Sequence, residues 1–114
     1  MPFQHIIKVR FNEVDAAGIV FFSRTYEYCH IAFEELLANI GIDFPTFLSS
    51  NRCGFPLVHS DADYFHPMKL GETLKIEISL KKTTTSTLVF SYNIIGDNDD
   101  ILRAKVTLIH AYVS

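Results

Sequence analysis

The chain has no tryptophan, only two cysteines, four prolines and five glycines in 114 residues, and its 10 Lys and Arg are outnumbered by 13 Asp and Glu. Two cysteines are too few for a disulfide-stapled scaffold, and Cys29 and Cys53 lack the CxxC spacing of a structural zinc site. A net charge of −3 provides no global positive field to gather phosphate backbones, which argues against a nucleic-acid partner. Any anionic ligand must be held by a local patch. No apolar run approaches the ~20 residues of a membrane-spanning helix, and Met1-Pro2-Phe3-Gln4-His5 has no charged segment leading into an apolar one. These absences predict a cytoplasmic protein with no membrane insertion. What is present, 48% hydrophobic residues with ten Phe, is enough to build one core, and predicts a single domain over residues 1–114.

The hydrophobic residues are patterned. Ile6-Ile7, Val9 and Phe11 predict a first strand over about residues 3–12, broken by the small and polar run Asn12-Glu13-Val14-Asp15-Ala16-Ala17-Gly18. Phe22, Tyr26, Cys29, Phe33, Leu36 and Ile40 recur at steps of three and four, so they share one helix face, with Ser23 as N-cap and Gly41 just past the end. Residues 55–65 predict a strand with His59, Asp61 and Asp63 on one face, ended by Pro67. Leu74, Ile76, Ile78 and Leu80 alternate with polar residues, and Leu88, Phe90, Tyr92 and Ile94 repeat the pattern. After the turn signal Gly96-Asp97-Asn98-Asp99-Asp100, Leu102, Ala104, Val106 and Leu108 close the series. One long helix and about five strands bury both apolar sets if an antiparallel sheet wraps around the helix, which is an α+β fold.

Asp15 lies in a glycine-containing loop just ahead of the predicted helix, where unpaired N–H groups and the positive dipole end favour an anion. Gly18 permits close approach of a ligand to the backbone, and N–H groups near Phe22 suit a developing oxyanion. A carboxylate beside an oxyanion hole is what acyl transfer requires. The same spacing also fits an aspartate that caps a helix or closes a turn, so spacing leaves both roles open. Cys29 falls on the apolar stripe and is expected to act as a small apolar filler, while nothing near Cys53, beside Gly54, resembles a Cys-His pair. His59, Asp61 and Asp63 have the alternation of a ligand set, and equally that of a strand facing water, a subunit or a site mouth.

The whole segment Val9-Arg10-Phe11-Asn12-Glu13-Val14-Asp15-Ala16-Ala17-Gly18-Ile19-Val20-Phe21-Phe22 resembles the D-x-A-G-I-V motif of the 4-hydroxybenzoyl-CoA thioesterase family. Downstream, the stretch from Asp63 to Leu74 resembles that family's strand, Pro and Gly-Asp/Glu turn. The resemblance spans nearly the full chain and implies a hot-dog fold, an antiparallel sheet wrapped around one long helix. It implies that Asp15 attacks the thioester carbonyl or activates water, and that the Phe22 N–H, near Gly18, polarises the carbonyl oxygen. An acyl-CoA substrate follows, with coenzyme A part of that substrate, no separate cofactor and no metal. Lys81-Lys82-Thr83 resembles the basic patch that holds CoA phosphates, and is otherwise a solvated strand end.

His30, fifteen residues after Asp15, stands where 4-hydroxybenzoyl-CoA enzymes carry an Asp that meets the substrate phenol. This departure argues against the same acyl group, and makes His30 and Tyr26 candidate substrate contacts or a polar helix edge. Within the family, the shortness and the Glu13-to-Gly18 segment resemble the enzymes acting on 1,4-dihydroxy-2-naphthoyl-CoA in phylloquinone and menaquinone synthesis. The alternatives are a broader 4-hydroxybenzoyl-CoA or short-chain acyl-CoA or acyl-carrier-protein thioesterase, or a non-catalytic CoA-binding module. The run Phe65-His66-Pro67 resembles that of hot-dog dehydratases, but its surroundings do not fit them. The family implies a homodimer or homotetramer with the active site between protomers.

Overall fold

A computed structural model describes residues 3–41 and 56–111 of the chain. The elements run β1 (Phe3–Lys8), α1 (Phe22–Asn39), β2 (Leu57–Tyr64), β3 (Thr73–Thr83), β4 (Thr87–Gly96) and β5 (Leu102–Ala111), the order that the patterning predicts. Every neighbouring pair is antiparallel in the sheet order β1-β3-β4-β5-β2. Among the described residues the two outer strands, β1 and β2, are therefore open edges. Cys53 and the start of the predicted strand at residue 55 lie outside the described residues.

Register explains the core. Phe3, Ile78, Tyr92, Val106 and Ala62 pair in one row across all five strands, so their side chains share the face that α1 covers. Ile76, Tyr92, Ile94, Val106 and Leu108 on that face are fully buried, each stabilising the fold by roughly 1.5–3 kcal/mol relative to exposure. Phe33 meets them from the helix, edge-on to Phe90 at 5.2 Å and stacked on His110 at 5.8 Å. Leu80 departs from the expected alternation. It is 52% exposed and borders the register shift between Leu80 and Lys82.

Three local expectations are corrected. The first strand stops at Lys8, since Val9 turns its N–H to the Glu72 carbonyl and its own carbonyl to Gly71 N–H. Residues Phe11–Glu13 form a 3₁₀ turn instead, leaving Phe11 exposed. The helix N-cap is Phe21, one residue inside which Phe22 begins α1, so Ser23 already lies in the first turn. The buried helix face is Thr25, Tyr28, Cys29, Ala32, Phe33 and Leu37. It is rotated from the predicted stripe because α1 packs chiefly over β3 and β1, which leaves Phe22 exposed and Tyr26 half-buried against the core. Gly41 adopts φ +88° just past the helix, as expected.

Candidate active site

Between β1 and α1 the chain makes a small closed loop. Val14 and Val20 form a β-bridge, Asp15 donates its N–H to the Ile19 carbonyl at 2.9 Å, and the Gly18 N–H donates to the Asp15 carbonyl at 3.0 Å. The Asp15 side chain takes part as well. Its Oδ1 accepts from Ala17 N–H at 2.9 Å and from Ile19 N–H at 3.2 Å, an Asx-type turn. Asp15 is exposed, and those two bonds use one oxygen, so the carboxylate is oriented while Oδ2 is left outside the turn. Closing the turn thus occupies only one of the two carboxylate oxygens.

Gly18, at φ +78°, makes this loop possible, because an L side chain is strained in that region. The Gly18 carbonyl accepts from Leu70 N–H at 3.0 Å and the Val20 N–H donates to Met68 O at 2.8 Å, which pins the loop against the segment after β2. Two residues on, Phe22 opens α1, and its N–H occupies the first helical position, where no intrahelical acceptor exists. Asp15, Gly18 and Phe22 therefore lie along one short loop that ends on a helix N-terminus.

Beside this loop lies an open cavity of about 380 Å³ lined by Ile19, Val20, Phe22 and the run Tyr64-Phe65-His66-Pro67-Met68. Asp15 is not in its wall, but Ile19, bonded to Asp15 through both backbone groups, is. Tyr64 was not singled out in the sequence, and Phe65 and His66, set aside there as a misfitting dehydratase resemblance, line the cavity with it. Their signal is an aromatic pair and a histidine at a strand end directly before Pro67. Tyr64 donates its hydroxyl to the Phe22 carbonyl at 3.2 Å, which fixes this wall to the helix start.

Phe22, Tyr26 and His30 are spaced by about one helical turn each, so they form a ladder along α1 leading away from the cavity. Eight residues of helix put His30 about 12 Å up the axis from Phe22. His30 is exposed. Lys81, Lys82 and Thr83 are exposed as the last three residues of β3. They are eight or more residues from Thr73, which pairs with Lys8 at the loop end of the sheet, hence at least about 26 Å along the strand from it. The structure does not bring the basic strand end to Asp15 within one chain.

Two other groups singled out in the sequence are accounted for by their surroundings. Burial pushes the Cys29 thiol well above its ordinary value, so it is no nucleophile in place. His59 Nε2 and Asp61 Oδ2 pair with each other at 2.7 Å on the outer face of β2.

An antiparallel five-stranded sheet carrying one long helix, with an oriented carboxylate one loop away from that helix's N-terminal N–H groups, defines a hot-dog acyl-thioester hydrolase. A model of the thioesterase-like superfamily matches residues 9–114. The chain belongs to this superfamily and is a thioesterase. It is 39% identical over 104 residues to a protein of Synechococcus elongatus named 1,4-dihydroxy-2-naphthoyl-CoA hydrolase, covering 90% of this chain and 75% of that one. It is 35% identical over 107 residues to the protein of that name from Acaryochloris marina, covering 93% and 78%. Among solved structures, a 1,4-dihydroxy-2-naphthoyl-CoA thioesterase from Synechocystis superposes with TM-score 0.93 at 24% identity, covering 100% of this chain and 83% of that one. A protein of Aquifex aeolicus superposes with TM-score 0.91 at 27% identity, covering 98% and 89%. Among the described residues no helix is long and apolar enough to cross a membrane.

Proposed function

We propose that the chain hydrolyses 1,4-dihydroxy-2-naphthoyl-CoA, with Asp15 as the reacting carboxylate and the Phe22 N–H as oxyanion donor. The observation that carries this reading is the Asp15 turn: it holds Oδ1 on two backbone N–H groups and leaves Oδ2 outside, one short loop from the helix N-terminus. Relatives of that name at 35–39% identity, aligned over most of both chains, support the substrate.

In the reaction, an oxygen nucleophile bonds to the thioester carbonyl carbon, the electron pair of the C=O moves to oxygen, and the collapse of that oxyanion breaks the C–S bond. The CoA thiolate leaves and takes a proton. Asp15 either supplies the attacking oxygen, giving an anhydride that water then opens, or removes a proton from attacking water. Both routes release the naphthoic acid and CoA thiol. The Phe22 N–H, at a position with no intrahelical acceptor, is aimed at the charge that develops on the carbonyl oxygen, where one such donor is typically worth about 10²–10³ in rate. The aromatic ladder Phe22, Tyr26 and His30 offers a flat wall and a terminal imidazole for a dihydroxylated ring.

The protein works as a homodimer or homotetramer in the cytoplasm as one domain, with no separate cofactor. Open edge β2 carries exposed Leu57, Val58 and Tyr64, and pairing it with a second copy satisfies its backbone. The long separation of Lys81, Lys82 and Thr83 from Asp15 is resolved if CoA lies between protomers, its phosphates on the basic strand end of one and its thioester at Asp15 of the other.

The test is thiol release from naphthoyl, benzoyl and short aliphatic CoA esters by wild type and Asp15→Asn. Turnover of the dihydroxynaphthoyl ester that vanishes in Asp15→Asn, with folding and assembly intact, is expected. Near-wild-type hydrolysis by the variant would remove the assignment of Asp15. A wild-type chain that binds the esters without releasing thiol would be a CoA-binding module instead.

A further inference from the structure

The geometry points to Glu13 as a positioning residue that sets Asp15 against the Phe22 N–H, an inference that rests on the proposed use of those two groups. Glu13 makes three connections at once. Its Oε1 accepts from Arg10 N–H at 2.9 Å and from the Tyr28 hydroxyl at 2.8 Å, while its carbonyl accepts from Phe21 N–H at 3.0 Å. Arg10 begins the turn that leads into the Asp15 loop, Phe21 is the helix N-cap next to Phe22, and Tyr28 lies in the second turn of α1.

These bonds join the two halves of the reacting geometry. The Asp15 loop closes on itself through the Val14–Val20 bridge, so it can move as a unit, and Glu13 stands immediately before Val14, where that bridge begins. Without Glu13, the entry to the loop keeps only its own turn, and the Phe21 link loses the side chain that fixes the carbonyl's direction. The Tyr28 anchor is rigid, since that residue is 2% exposed. Burial, and then the Glu13 carboxylate, hold its phenol protonated as a donor by pushing it well above the usual tyrosine range. A displacement of about 1 Å in a reacting group is enough to lower turnover by about 10²-fold, which is the scale on which such a clamp acts.

A positioning role requires an acceptor at this place but no negative charge. Glu13→Gln retains an oxygen acceptor, Glu13→Ala removes it, and Tyr28→Phe removes only the donor on the helix. The measurement is kcat and KM for the aryl-CoA ester that wild type turns over fastest, well below each variant's melting temperature, beside Asp15→Asn. Glu13→Ala is expected to lose about 10²-fold in kcat with KM within about threefold, and Tyr28→Phe about tenfold in the same manner. Glu13→Gln is expected to stay within about fivefold of wild type. If Glu13→Ala does not fold, the Tyr28→Phe and Glu13→Gln results decide. Wild-type kcat in Tyr28→Phe, or a loss in Glu13→Gln as large as the 10²-fold expected of the alanine, overturns the clamp. Activity surviving in Asp15→Asn overturns the reading of the site instead, so the two failures are distinguishable.

Discussion

The Tyr64 phenol donates a hydrogen bond to the Phe22 carbonyl at 3.2 Å, joining the end of β2 to the first turn of α1 across 42 residues of sequence. That bond holds the aromatic wall of the cavity against the residue whose N–H is assigned to the oxyanion. It is exposed, so its net worth lies at the low end of the usual range, about 0.5 kcal/mol. Tyr64→Phe keeps the ring and is expected to lower the melting temperature by only about 2–4 °C while leaving KM within about twofold. Tyr64→Ala strips the wall and is expected to raise KM about tenfold. Equal KM values for the two variants would show that the ring makes no contact with substrate.

Gly18 tests whether the loop's shape, as distinct from its side chains, is needed. A Cβ built there meets nothing within 4 Å, yet φ is +78°. Substitution is therefore opposed by backbone strain alone, about 1–2 kcal/mol for an ordinary L residue and less for Asn. Melting temperatures should fall in the order wild type, Gly18→Asn, Gly18→Ala, with kcat following the same order as the Asp15 turn loosens. An alanine variant as stable as wild type would mean that the loop relaxes to a different backbone path.

The outline of this fold was legible because its signals are local. Period-two alternation in residues 74–108 marks β3, β4 and β5, and the steps of three and four after Phe22 mark α1. The exact face of α1 was not legible, since which edge stays uncovered depends on where β1 and β3 lie under the helix, a long-range fact. Asp15 and Gly18 stand out through a compact motif within a few residues. The Glu13–Tyr28 bond and the Tyr64–Phe22 bond link residues 15 and 42 apart, and no spacing rule announces such pairs. Lys81, Lys82 and Thr83 illustrate the same limit, because their spacing in sequence does not tell that they are exposed at the end of β3 remote from the Asp15 loop.

Arg103 provides a pH-dependent test of how the cavity wall is supported. The residue is 5% exposed, and its guanidinium donates to both oxygens of Asp99, at 3.2 and 2.9 Å, and to Glu72 at 3.2 Å. Its backbone carbonyl accepts from Phe65 and His66 N–H at 2.8 and 3.2 Å, so the ion network and the wall share one residue. The Arg103 hydrogen bonds, and then the Ile101 N–H, hold the Asp99 carboxyl below its ordinary range. A carboxylate with a depressed folded-state value contributes stability that is fully present above its unfolded value, about 3.9, and is lost as pH falls through the folded one. Asp99→Asn should accordingly melt below wild type at neutral pH. The gap should narrow as pH drops below about 4 and close once Asp99 is protonated in the folded wild type. Melting curves from pH 7 to pH 2.5 measure this directly, and a gap that stays constant over that range would show that the Asp99–Arg103 pair contributes through packing and not through charge.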